Sequence, residues 1–193
     1  MNHPANQPPL APSPGQTIGP FFGYSLPFAD GEKLVARTHP AAVRLHGTVR
    51  DGDGDPIPDA LLEIWQTDGE GNIVQEPGSL HRDGYTFTGW GRTPTDNAGH
   101  YSFTTIAPAA SEPKPGRAPF IAMTVFARGL LNRLFTRVYL PGDDQALAAD
   151  PLLSSVPADR RSTLIATPDA GGYRFDVVLQ GENETVFLAY PGH

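Results

Sequence analysis

The chain has 193 residues, 39% of them hydrophobic and 18% charged, with a formal net charge of −7, no cysteine, 21 Gly and 21 Pro. That size suits one domain able to bury roughly 70% of its unfolded surface, while Gly and Pro at short intervals exclude long helices, coiled coils and helical repeats. The acidic balance speaks against nucleic acid or anionic membrane as partner, no apolar run reaches the 18 residues of a membrane-spanning helix, and zero cysteine excludes thiol catalysis and Cys-based metal centres. With no basic stretch leading into an apolar core at the start, the expected compartment is the cytoplasm.

Residues 1–15 hold five prolines and almost nothing apolar, a composition that cannot offset its own ordering entropy, so a disordered or extended tail is expected. Residues 16–42 read as an arm whose Phe21, Phe22, Tyr24 and Phe28, set among Gly and Pro, cannot build a regular helix or central strand and need another surface to pack on. From residue 43 to 193 the period is two. Strands are expected around Val43–Val49, Leu61–Gln66, Tyr101–Thr104, Phe120–Ala127, Leu134–Leu140, Tyr173–Gln180 and Val186–Tyr190. The runs beginning Asp51, Thr67, Asp96 and Gly181 punctuate them as turns, and residues 143–165, divided by Pro151 and Pro157, suit one or two short helices. The fold class expected is all-β: a single β-sandwich with an extended N-terminal arm.

Several residues invite a chemical reading. The run Asp51 to Asp55 resembles a calcium loop, but an EF-hand needs Gly at its sixth and Glu at its twelfth position, where Pro56 and Leu62 stand; a turn is the better account. Glu63, inside the apolar run LLEIW, needs a partner, and an arginine within the fold would serve as well as a catalytic role. The six histidines are scattered without metal-ligand spacing, and His46 falls on the polar, solvated side of its strand. No nucleophile elbow and no phosphate-cradling glycine loop occurs. Arg128 follows the apolar stretch FIAMTVFA, so it emerges at a sheet end, either paired with an acidic residue or meeting a carboxylate in a cleft. Read from the residues alone, the chain carries no metal site and no catalytic residue.

A resemblance adds to this. Residues 16–21 (QTIGPF), 47–59 (GTVRDGDGDPIPD), 62–68 (LEIWQTD), 91–93 (GRT), 96–103 (DNAGHYSF), 126–129 (FARG), 136–139 (TRVY), 161–166 (RSTLIA), 173–176 (YRFD) and 181–187 (GENETVF) together resemble the intradiol ring-cleavage dioxygenases, and within them a branch of alpha chains, from about residue 16 to 190. Catalytic chains of that family hold ferric iron with two tyrosines and two histidines in a His-x-His pair. Here Phe120 and Ala122 stand at the histidine positions, the loop before them has no tyrosine, and Tyr85 lies only loosely where the other phenolate would be. The resemblance therefore implies a subunit without its own metal. The Fe(III) would be held by a homologous beta subunit in a higher-order αβ hetero-oligomer. The assembly would cleave protocatechuate (3,4-dihydroxybenzoate) with O2 to 3-carboxy-cis,cis-muconate. It also implies that Thr17, Gly19, Pro20 and Arg128 line the substrate pocket of that beta subunit and that the aromatic arm packs on it. A transthyretin-like or adhesin-type sandwich, a binding module without enzymatic role, uses a similar hairpin but needs neither QTIGPFF nor FARG.

Overall fold

The computed structural model describes residues 22–76, 80–111 and 116–190. Two antiparallel-rich sheets face each other. The first contains β1 (Ala42–Arg50), β4 (His100–Ile106), β7 (Thr167–Asp169), β8 (Gly172–Arg174) and β9 (Val177–Val178); its order is β4-β1-β8-β7, with β9 also beside β1. The second has the order β3-β2-β5-β6, from β2 (Leu61–Trp65), β3 (Trp90–Pro94), β5 (Phe120–Phe126) and β6 (Leu134–Tyr139). Alternation decides which side chains meet between the sheets. Leu45, Val49 and Phe103 from one side and Leu62, Ile64, Ile121, Met123, Val125 and Val138 from the other are all within 1% of full burial. Each such side chain contributes about 1.5–3 kcal/mol through burial. The all-β sandwich expected from the period-two pattern is the fold observed.

The reversals follow from one local device. Asp51 Oδ1 accepts from the N–H of Asp53 and Asp55, Asp68 Oδ1 from Glu70 and Asn72, and Asp96 Oδ1 from Ala98 and His100. In each, a glycine three residues after the aspartate sits at positive φ, as Gly54, Gly71 and Gly99 do. The acidic run at 51–55 is thus a turn.

Differences from the expected elements have physical reasons. β3 and β7 were not anticipated: the inward residues of β3 are Gly91 and Thr93, and β7 is three exposed residues containing Pro168, so neither shows apolar alternation. The expected strand Val186–Tyr190 is instead an extended segment on β6, joined by Leu188 N–H to Phe135 O (2.7 Å) and by Thr136 Oγ1 to Val186 O. The expected strand Tyr173–Gln180 breaks at Phe175 and Asp176, because Phe175 O is drawn inward to accept from the buried Tyr101 hydroxyl at 2.6 Å. That carbonyl lies where a side chain at Gly47 would stand, 1.9 Å from an ideal Cβ. Helix is more frequent than expected: besides α2 (Asp144–Ala149) and α3 (Pro151–Ser155), there are α1 (Phe22–Ser25) and a 3-10 turn at Arg161–Leu164. No helix among the described residues is long and apolar enough to cross a membrane.

A second, smaller core lies outside the sandwich, where Leu153, Val156 and Leu164 pack with Ala118 against Tyr139 of β6. The end of the segment read as the arm also joins the protein's own body. Leu34 is buried in the main core, Arg92 N–H donates to Gly31 O, and Phe28 stacks on Trp90 with centroids 5.7 Å apart.

Candidate functional site

The outer face of the second sheet carries the cavity. Register places Trp65 of β2 beside Ala122 of β5, and Ala122 beside Arg137 of β6. The segment leading into β5 and Tyr190 wall this step into a cavity of about 370 Å³, which is mainly apolar and lined by Trp65, Ile73, Pro119, Phe120 and Ala122 with Arg117 and Arg137. This volume falls in the usual range for small-molecule sites, about 300–1,000 Å³.

A buried relay fixes one of the two arginines in the described lining, Arg137. Asp150, fully buried, caps α3 by accepting from the N–H of Leu152 and Leu153, and the same Oδ1 accepts the Tyr139 hydroxyl at 3.0 Å. Arg137 Nη1 in turn donates to Tyr139 Oη at 3.2 Å. Burial pushes the Tyr139 phenol up to about 12, so it stays a neutral O–H between carboxylate and guanidinium. Asp150 Oδ2 also accepts from Ala118 N–H, which ties the wall of the cavity to the same carboxylate. The Arg137 guanidinium lies 3.8 Å from the Phe120 ring centroid, a cation–π stack that covers its face and leaves its in-plane N–H groups for other partners.

The residues singled out from the sequence fall elsewhere. Arg128 lies in the turn after β5, past a strand that runs from Phe120 to Phe126, about 20 Å of extended chain. Its Nε lies 3.2 Å from Asp59 Oδ2, with Arg128 61% exposed and Asp59 only 16%. Thr17, Gly19 and Pro20 lie outside the described residues. The chain enters the described part at α1, whose Gly23 lies against the Asp59 backbone, so the arm reaches the Arg128 end of β5. Glu63 has the in-fold partner: Arg92 donates to it from Nε at 2.8 Å and from Nη2. His46 is not solvated as expected; it lies on the other sheet with Nε2 3.0 Å from Asp169 Oδ2 and its ring 5.8 Å from that of His100. Tyr85 is 90% exposed and does not line the cavity. Sequence reasoning missed Arg137, Tyr139, Asp150 and Asp59. Arg137 sat unremarked as the polar step of an alternating strand, and its contact with Asp150 by way of Tyr139 is visible only in three dimensions.

A family model described as a dioxygenase matches residues 18–181. The chain is 39% identical to the protocatechuate 3,4-dioxygenase alpha chain of Burkholderia cepacia, over 93% of this chain and 98% of that one. The chain belongs to the intradiol ring-cleaving dioxygenases. The beta chain of the same Burkholderia enzyme is also similar, 36% identical over 81% of this chain and 69% of its own length. Among solved structures, the dioxygenase domain of a carbohydrate-binding fusion protein from Streptomyces sp. SirexAA-E superposes with a TM-score of 0.54 at 26% identity, covering 89% of this chain and 99% of that domain. Membership favours the enzyme reading over an adhesin-type module.

Intradiol dioxygenases use ferric iron, and the cavity of this chain does not suit that ion. Phe120 and Ala122, which the resemblance sets against the family's two histidines, have no donor atom. The described lining offers no carboxylate or imidazole and one phenol, Tyr190, and it places the permanent cation of Arg137 beside Ala122, so a trivalent ion would meet a single phenol and a repelling charge. Among the described residues no group of three or more His, Cys, Asp or Glu is placed to hold a metal ion.

Proposed function

We propose that this chain is the alpha subunit of an intradiol dioxygenase that opens protocatechuate with O2 to 3-carboxy-cis,cis-muconate, its Fe(III) held by a homologous beta subunit. The observation that supports this reading is the donor set of the cavity: the family's sandwich is kept, while the described lining offers Phe120, Ala122 and the Arg137 cation with no carboxylate or imidazole. The near end-to-end match to an alpha chain supports it. In this reading the iron, on the beta subunit, supplies the activation of the catechol. This chain supplies pocket wall: Thr17, Gly19 and Pro20 from the arm, and Arg128 from the far end of β5. Arg128 is tethered to Asp59 through Nε, which leaves its Nη fork to meet the carboxylate of protocatechuate. The αβ pair would then assemble further into a hetero-oligomer.

The test measures iron content and protocatechuate-dependent O2 uptake for the chain alone and after co-expression with an iron-binding beta-type homologue from the same genome. The expected outcome is no stoichiometric iron and no uptake for the chain alone, and both in the complex. Iron and turnover by this chain alone would overturn the reading, as would a complex that forms with neither.

A further inference from the structure

Replacing metal ligands by apolar residues would let a surplus cavity close, since empty apolar volume costs stability at about 24 cal/mol per Å³. Here it stays open, and of the two arginines in its described lining, Arg137 is held in place by a buried hydrogen-bonded relay. Asp150, Tyr139 and Arg137 form a relay from a fully buried carboxylate to a guanidinium at the cavity wall. Among the described residues neither Arg137 nor Arg117 forms an ion pair, and no acidic side chain is in the described lining. The walls are flat and apolar, with the Trp65 indole, the Phe120 ring and the Ala122 methyl around the guanidinium. A guanidinium with open in-plane donors in an apolar slot calls for a planar anion with two coplanar oxygens and an apolar body.

We propose that this cavity is a binding site for a small planar aromatic carboxylate, its carboxylate on Arg137 and its ring against Trp65 and Ala122. The site is separate from the pocket assigned to Arg128, at the opposite end of β5, and binding there involves no chemical step. The proposal does not depend on the iron-bearing partner, because every group it uses belongs to this chain.

The test titrates 3-fluorobenzoate and its uncharged analogue 3-fluorobenzyl alcohol into the full-length chain, without beta subunit or iron, and follows 19F shift and line width. Saturable binding of the acid is expected, at least about tenfold tighter than the alcohol, the equivalent of about 1.4 kcal/mol. Arg137→Met should bring the acid to the alcohol's affinity and leave the alcohol unchanged. Ala122→Phe, which fills the slot from a half-buried outer position, should abolish both. Absence of saturable acid binding up to about 10 mM, a weak limit for a single-ring ligand, would overturn the proposal. Equal affinity for acid and alcohol, or acid binding undiminished in Ala122→Phe, would overturn it as well. Because neither arm measures turnover, failure here leaves the alpha-subunit reading standing, and failure of that reading leaves this site standing.

Discussion

Arg128 and Asp59 make an unequal pair: a largely exposed cation tied to a largely covered carboxylate. A surface pair of this kind contributes at most about 1 kcal/mol to stability, so its use lies in holding the guanidinium at one angle. In the two-chain enzyme, Arg128→Ala should raise KM for protocatechuate about ten- to a hundredfold, the worth of a charge-assisted hydrogen bond of about 1.5–3 kcal/mol, while KM for catechol, which lacks the carboxylate, changes little. Equal effects on both substrates would remove the carboxylate role. Asp176 shows how a half-buried acid tunes stability. Burial works to raise its carboxyl, but the Arg174 guanidinium and the N–H and O–H of Thr48 outweigh it and hold it below the ordinary value. A lowered native value means stabilisation that is present above the unfolded value, about 3.9, and lost as pH falls through the native one. Thermal melts between pH 6 and 3 should therefore show a steeper acid loss for the native chain than for Asp176→Asn, and parallel curves would discard this account.

At the scale of elements, α3 is short, and its position depends on one residue. Asp150 caps it, accepts from Tyr139 and anchors Ala118. Asp150→Ala would remove the cap and strand the buried Tyr139 hydroxyl, a cost of about 3 kcal/mol, which for a chain of this size lowers Tm by about 6–12 °C. Asp150→Asn, which keeps the Oδ1 acceptor, should lose much less, as differential scanning calorimetry would show. The strands and turns that could be read from the sequence were those where one signal governed: β1, β4 and β6 alternate apolar residues, β2 and β5 are short apolar runs, and the aspartate-to-glycine turns close on themselves. β3 and β7 escaped because glycine, threonine and proline take their inward or paired places, so pairing with neighbours defines them in the absence of any pattern. The candidate site was legible only in part. Arg128 announced itself by its place after an apolar strand, and Phe120 and Ala122 through the resemblance. The cavity and its relay join residues 65, 120, 137 and 150, which no local spacing connects.

Across the whole molecule, β5 organises function by its two ends. Near Phe120 lies a partly open cavity of this chain's own, and past Phe126 the chain brings Arg128 to the side where the arm enters. In the proposed αβ enzyme labour would be divided: the beta subunit would keep the metal, and this chain would keep the fold and lend residues to its neighbour's pocket. In that arrangement iron and oxygen uptake are properties of the pair, which is why the co-expression experiment is read on the complex. The acidic surface, −7 overall, favours solubility and gives no reason to expect polyanions among the partners.

The chain has two tryptophans, and they are direct cross-strand partners, Trp65 on β2 opposite Trp90 on β3. Neither belongs to the buried core. Trp65 walls the cavity, whereas Trp90 lies under Phe28 of the arm with Arg92 5.1 Å from its ring. Intrinsic emission from this protein is consequently a local gauge: ligand in the cavity would be sensed by one indole, displacement of the arm by the other. Their adjacency lets the two transition dipoles couple, so near-ultraviolet dichroism should carry an exciton signature that vanishes when either is replaced by phenylalanine. A spectroscopist is thus given a built-in optical probe on the very face where the functional questions lie.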